Sequence, residues 1–264
     1  MIDCHLHLQD PRFAGRHAEI VDTLRSLGVG RLVVNGTCPA DWDAVETLAQ
    51  TYPEVLPSFG IHPWHTDTAG DGWLDDLETR LRRHPHSGVG EIGLDRWIRN
   101  HDLDRQKDLL RDQLALAHQL DRPVTLHCLR AWGSLLDELE AADLRRGPLL
   151  HSYGGPADMV ERFASLGAYF SISGYFFRED KAGKLAAFDR VPPERLLIET
   201  DAPDMALPEP LVSHRWADDP SINHPGNLAT VYRATAAHLG IGTEVLAERT
   251  ARNFAAWWGR AIRP

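Results

Sequence analysis

Short apolar runs alternate with longer amphipathic stretches from one end of this chain to the other. The apolar runs cover 2–8, 31–34, 55–60, 87–93, 123–127, 148–151, 168–173 and 195–200. Each has the length of a buried strand, and all but 148–151 carry β-branched or aromatic residues. Between them the spacing predicts helices over 18–27, 41–50, 72–83, 103–120, 132–141, 156–166 and 178–188. Two more, over 227–239 and 243–257, close the chain. The clearest helix is 103–120, where Leu110, Leu114 and Ala117 recur at steps of four and three and define one buried face. Asp102 or Asp104 is placed to cap its start. Pro156 stands near the first turn of the 156–166 helix, where its missing N–H costs nothing.

Eight strand–helix alternations predict one parallel, closed sheet ringed by helices, a (β/α)₈ TIM barrel. The length of 264 residues suits a single-domain barrel spanning 1–264, since such barrels run to about 250 residues. No low-complexity tract or domain boundary interrupts the pattern. The stretch 202–225, rich in proline and polar residues, follows the eighth strand and is expected to be a long loop at the active face.

Composition changes this picture little. Hydrophobic residues make up 43% and charged residues 25%, ordinary values for a globular fold. The net charge of −10 argues against a broad basic surface gripping duplex DNA, though bound cations can offset acidic ligands locally. Positive charge is carried almost wholly by arginine, with lysine only at 107, 181 and 184, which reads as compositional bias. Cys4, Cys38 and Cys128 are odd in number and form no CxxC pair, so no disulfide framework is expected. A motif of metal-ligand type begins at residue 3, so no leader is expected, and no apolar run has the length of a membrane span. A cytoplasmic setting is the expectation, and a monomer, because no surface segment reads as an interface.

The candidate chemistry sits at strand ends. His5 and His7 lie two apart on the first strand, so their side chains share a face. Glu91 falls near the end of the fourth strand, His127 ends the fifth, His151 ends the sixth, and Asp201 follows the eighth. The C-terminal strand ends are where barrel enzymes build their sites. Any one histidine in a barrel is more often a packed, hydrogen-bonded residue than a ligand, and Glu91 alone could pair with an arginine. Six such residues gathered at one end would be costly to bury without a cation. Four imidazoles and two carboxylates suffice for two divalent ions, Zn²⁺, Mn²⁺ or Mg²⁺, sharing a bridging ligand. Two ions about 3.5–4 Å apart clamp the attacking and leaving oxygens of one substrate. His62 and His65, in Gly60-Ile-His-Pro-Trp-His, follow the third strand on the same face. A substrate contact is expected of them, against the alternative of a turn fixed by Pro63. His17, His84, His86, His101, His118 and His238 fall in helices or loops, with solvated or packed roles.

These residues resemble the TatD family of metal-dependent deoxyribonucleases, within the amidohydrolase-like barrels. The matching motifs are Asp3-Cys-His-Leu-His, Gly60-Ile-His-Pro, Gly90-Glu-Ile-Gly-Leu-Asp95, Pro123-Val-Thr-Leu-His127, His151-Ser-Tyr-Gly-Gly and Glu199-Thr-Asp-Ala-Pro203, in the family's order over nearly the whole chain. The resemblance implies a metal-assisted phosphodiesterase. It assigns His5, His7, Glu91 and Asp201 to one metal, with Glu91 bridging to a second held by His127 and His151. It makes Asp201 the base that orients the attacking water and places His62 near a substrate phosphate; His65, Asp95 and Arg130 are the further substrate-side candidates. Two positions depart from the family pattern. Leu129 stands where relatives commonly carry the arginine of His-x-Arg, with Arg130 one residue on. Asn223-His-Pro225 replaces Asn-Glu-Pro. Both departures touch the substrate side and spare the ligands.

The leading expectation is a 3′-exonuclease-like phosphodiesterase acting on single-stranded or frayed DNA or on a small phosphodiester. Trp64, Tyr153, Tyr175 and Trp216 are candidates to stack bases. The alternative is a carbon-centred hydrolase of an amide, ester, lactone or aminoacyl-tRNA ester on the same site. Glu91, with no lysine near it, weighs against the lactonase-like form of that alternative. A non-catalytic metal-binding protein ranks last, because six ligands over two ions leave open positions.

Overall fold

The computed structural model describes residues 1–259. Eight parallel strands run in the order β1 to β8 around a nearly closed barrel: β1 (Ile2–Leu6), β2 (Arg31–Asn35), β3 (Val55–Phe59), β4 (Gly88–Asp95), β5 (Val124–Leu129), β6 (Leu149–Leu150), β7 (Tyr169–Ile172) and β8 (Leu196–Ile198). The helices are α1 (His17–Ser26), α2 (Trp42–Thr51), α3 (Trp73–Arg83), α4 (Leu103–Leu120), α5 (Trp132–Ala142), α6 (Val160–Ser165), α7 (Ala182–Leu185), α8 (Leu228–His238) and α9 (Thr243–Trp258). This is the expected TIM barrel. None of these helices is long and apolar enough to cross a membrane.

Alternate strand positions feed two separate apolar clusters. Leu32, Val34, Leu126, Leu150, Phe170 and Ile198 face outward and pack against helix residues such as Ile20, Val45, Leu110 and Leu135. Cys4, Val33, Leu56, Leu149, Tyr169 and Leu197 join a smaller cluster. Phe254, Trp257 and Trp258 of α9 complete it. Helix α9 is tied to the N-terminal ends of the strands: Asn253 donates to the Leu196 carbonyl at 2.8 Å, and the Trp258 indole to the His86 carbonyl at 3.1 Å. The plug leaves the opposite, C-terminal end of the barrel free to carry polar groups.

No strand ladder links β8 back to β1, yet the seam is bonded. The Asp201 amide donates to the His5 carbonyl at 3.0 Å and the His7 amide to the Ala202 carbonyl at 2.8 Å. Beneath them the buried Asp3 carboxylate accepts the Thr200 amide at 3.0 Å and its hydroxyl at 2.6 Å. Burial pushes the Asp3 carboxyl up to about 7, against these hydrogen bonds.

The spacing-based boundaries differ from the structure mostly by a residue or two. Asp102 is the cap of α4, accepting the Arg105 amide at 3.0 Å. Two helices differ more. The 156–166 stretch opens as a 3₁₀ turn (Ala157–Met159) before α6. The 178–188 stretch breaks into 3₁₀ turns at Glu179–Lys181 and Ala186–Arg190 around the single turn of α7. Between them only Ala187 and Phe188 are buried, and Gly183 sits inside the run. A face that narrow does not hold a longer α-helix in register.

One ion network lies outside the barrel. Glu46 of α2 is held by Arg80 at 3.1 Å, Arg83 at 3.2 Å and His84 at 3.0 Å. His84 and Arg83, working against partial burial, lower its carboxyl pKa. A depressed folded pKa contributes stability that is present above the unfolded value and is lost as pH falls through the folded one. Glu46→Gln is therefore expected to cost about 1–3 kcal/mol near pH 7. Urea unfolding of both forms should show that difference shrinking below the ordinary glutamate range, with the two converging at acid pH.

Candidate metal centre at the strand ends

His5 and His7 meet as the sequence predicts, with Nε2 atoms 3.3 Å apart, although strict strand alternation is not the cause. Strand β1 ends at Leu6 and its pairing with β2 is irregular between Asp3 and Leu6. The pairing of β4 with β5 is likewise irregular between Val89 and Ile92, which brackets Glu91. Such irregularities re-aim a side chain and recur beside active sites. Gly93 follows at φ 147°, where a Cβ would run into the His127 carbonyl, so β4 and β5 approach more closely here than a side chain would allow. The Gly90–Glu91 and Ala202–Pro203 peptide bonds are cis.

Glu91 is the hub. Its Oε2 lies 3.4 Å from His5 Nε2 and 3.2 Å from His7 Nε2. Its Oε1 lies 3.0 Å from His127 Nδ1, 2.8 Å from His151 Nε2 and 3.3 Å from His62 Nε2. Asp201 closes the first group, with Oδ1 3.4 Å from His5 Nε2 and 3.6 Å from His7 Nε2. The rings of His5 and His151 stack at 4.0 Å and join the two groups. Burial alone would raise the Glu91 pKa, but the surrounding imidazoles, His151 foremost, hold it well below the ordinary carboxylate range.

The outer hydrogen bonds sort the imidazoles by tautomer. His7 Nδ1 faces the Asn35 carbonyl at 2.8 Å, an acceptor only, so Nδ1 carries the proton and the Nε2 lone pair faces the centre. His127 Nε2 faces Asp95 Oδ2 at 2.9 Å, so its Nδ1 lone pair faces Glu91. His62 is the reverse. Its Nδ1 accepts the Trp64 amide at 3.1 Å, which leaves Nε2 as the N–H, a donor towards Glu91. Burial lowers the His62 pKa to about 4, keeping the ring neutral. His5 Nδ1 is buried without a partner, as is His151 Nδ1, whose nearest carboxylate, Glu199 Oε1, is 3.6 Å away.

With His7 and His127 oriented in this way and His5 and His151 beside them, four imidazoles converge on the oxygens of Glu91 and Asp201, the donor set that divalent cations take. Groups able to hold an ion include His5–His7–Asp201 and His62–Glu91–His127. The tautomer argument favours His151 over His62 as the third member of the second.

Three positions named in the sequence lie differently from the ligand set. Asp95 is fully buried and faces protein groups: besides His127 it accepts the Trp64 indole at 2.6 Å and the Trp97 amide at 2.6 Å. Working against burial, His127 and Trp64 lower its pKa to about 2. His65 lies outside the Glu91 group, its ring 6.3 Å from that of His62. Arg130 is exposed at φ 56° beyond β5.

Sequence reasoning missed Glu199. It is fully buried and accepts the Ser152 amide at 2.8 Å and hydroxyl at 2.6 Å, beside His151. It lies just beyond β8, two residues before Asp201. His224 is also placed. Its Nδ1 accepts the Gly226 amide at 2.9 Å, and it stacks near Trp216 at 4.3 Å, a packed turn at the rim.

A parallel barrel carrying imidazoles and carboxylates at its C-terminal strand ends defines a metal-dependent hydrolase. The model of the TatD-related DNases matches residues 2–259, and the chain belongs to that family. It is 34% identical over 208 residues to YjjV of Escherichia coli, named an uncharacterized metal-dependent hydrolase, covering 78% of this chain and 80% of that one. It is 34% identical over 207 residues to a protein of Edwardsiella piscicida named 3′-5′ ssDNA/RNA exonuclease TatD, with coverage of 77% and 79%. The crystal structure of E. coli YjjV superposes with a TM-score of 0.89 at 30% identity over 97% of both chains.

Asp95→Asn tests the tautomer argument. One amide oxygen cannot serve His127, Trp64 and Trp97 together. Divalent-cation affinity, measured by chelator competition, should fall roughly 10–100-fold, with the fold intact by circular dichroism.

Proposed function

We propose that this chain is a phosphodiesterase that removes nucleotides from single-stranded ends of nucleic acid, using two divalent cations bridged by Glu91. The observation that carries it is the division of labour on that carboxylate, Oε2 towards His5 and His7, Oε1 towards His127 and His151. His5, His7, Asp201 and Glu91 would hold one cation; Glu91, His127 and His151 would hold the other. The donor set suits Zn²⁺ or Mn²⁺ better than Mg²⁺, which prefers oxygen ligands and its own water. When bound, such cations supply Lewis-acid charge for the phosphoryl oxygens and make a nearby water more acidic.

The protein groups supply the remainder. Asp201 Oδ1 faces His5 and His7, and Oδ2 makes no hydrogen bond among the described residues. Oδ2 is the atom that accepts the proton from the attacking water. His62 presents a neutral Nε2–H on the other flank, a donor to a phosphoryl oxygen as negative charge builds there. Asp95 and the Asn35 carbonyl hold His127 and His7 in the tautomers that keep lone pairs inward. An exonuclease on single strands is supported by relatives named 3′-5′ ssDNA/RNA exonucleases and by the net charge of −10, which disfavours a wide grip on duplex phosphates.

The metal-loaded protein should be offered single-stranded DNA, bis-p-nitrophenyl phosphate and a p-nitrophenyl carboxylate ester, with Asp201→Asn beside each. Phosphodiester turnover is expected, falling at least about 100-fold in the variant. Ester cleavage alone would replace this reading with a carbon-centred hydrolase. No turnover with Zn²⁺, Mn²⁺ or Mg²⁺ would overturn it.

A further inference from the structure

Trp97 is the most exposed large apolar side chain among the described residues, at 56%, and the Trp64 indole is exposed as well, at 48%. An aromatic face left exposed at the mouth of a site is available to stack on a ligand. Both are tied to the candidate centre through one buried carboxylate. Asp95 accepts the Trp64 indole N–H through Oδ2 and the Trp97 amide through Oδ1, while Oδ2 also faces His127. The Trp64 indole and the Trp97 backbone are thus held at the barrel mouth, one bond removed from the site, and the Trp97 indole projects from there into solvent.

The same rim is basic in an acidic protein. Arg96 and Arg99 flank Trp97 in the loop between β4 and α4, and Arg130 follows β5. The Arg96 amide donates to the Leu129 carbonyl at 2.9 Å, which sets the start of that loop beside the end of β5. Most arginines in this chain are engaged, as Arg12 is with Asp10 and Asp204, and Arg146 with Asp121. Arg96, Arg99 and Arg130 are all exposed, and their guanidiniums make no hydrogen bond or ion pair among the described residues. Asp95, adjacent to Arg96 in the chain, is occupied by Trp64, Trp97, Ile98 and His127.

We infer that Trp64, Trp97 and the arginines at 96, 99 and 130 form a strand-holding platform for single-stranded nucleic acid. The indoles stack bases and the guanidiniums take the phosphates behind the scissile one. This rests on the proposed phosphodiesterase reading and adds what positions its substrate. Stacking on aromatic faces is tolerant of sequence, because every base has a π-face. Free guanidiniums match phosphate in charge and fork geometry. The platform also bears on the missing arginine of His-x-Arg. Leu129 leaves that position apolar, and the cationic charge is carried instead by the neighbouring loop.

The test is binding of a fluorescein-labelled, phosphorothioate-linked oligothymidylate of about ten nucleotides, a length spanning a typical single-strand site, to the metal-loaded protein by anisotropy. Trp97→Ala should weaken binding about tenfold, the scale of one lost stacking contact, and Trp97→Phe should recover most of it. Arg96→Ala with Arg99→Ala should weaken binding and lower the slope of log affinity against log salt by roughly 0.7 per arginine. Arg145→Ala, which removes an exposed and unpaired arginine beyond α5, is the charge control and should change neither. Wild-type binding by Trp97→Ala, or an equal loss in Arg145→Ala, overturns the platform. Hydrolysis of bis-p-nitrophenyl phosphate separates the two readings. Turnover of that diester without strand binding sinks the platform and spares the phosphodiesterase. Strand binding lost in Trp97→Ala, with neither diester nor strand cleaved, does the reverse.

Discussion

A carboxylate buried among five imidazoles sets the terms for everything at the mouth of this barrel. Glu91 cannot be ionised there in isolation, because desolvation of a lone charge costs far more than a fold can offset. Its surroundings compensate it twice over, one oxygen towards His5 and His7 and the other towards His127, His151 and His62. The five rings come from β1, β3, β5 and β6 or the turns just beyond them. Only a closed parallel sheet brings those ends within one ion's reach.

Closure and site are consequently one construction. The seam between β8 and β1 is made by the backbone of His5, His7, Asp201 and Ala202, so three of the groups facing the centre also finish the barrel. Asp3 and Thr200 brace the same seam from below, buried and hydrogen-bonded. At the far end α9 plugs the barrel with Phe254, Trp257 and Trp258. Apolar filling is thus confined to one end, and polar chemistry to the other.

The next layer out decides what each ring can do. His7, His127 and His62 are chemically identical side chains with different roles because the Asn35 carbonyl, the Asp95 carboxylate and the Trp64 amide fix which nitrogen holds the proton. Asp95 extends the chain of influence further, to the indole of Trp64 and the loop of Trp97. A single buried carboxylate therefore links the orientation of His127 to the surface where a strand would lie.

Much of this was legible without coordinates. Eight apolar runs with helices between them announce the barrel, since a fully buried parallel strand has a short continuous apolar run as its signature. The six residues at strand ends were found for the same reason: position within a strand is a local property. The failures were of two kinds. The 178–188 stretch has helical spacing but too narrow a buried face to hold a helix, so it breaks into turns. Asp95 and Glu199 carry no local mark of their partners, because His127 and His151 reach them across the barrel. The sequence by itself determined the barrel and the residue types at its mouth. Only the tertiary structure decided the tautomers, the irregular pairings that aim Glu91, and the assembly of Trp64, Trp97 and three unpaired arginines at one rim. Those depend on which backbone and side-chain groups meet across strands, and no spacing along a single chain encodes that.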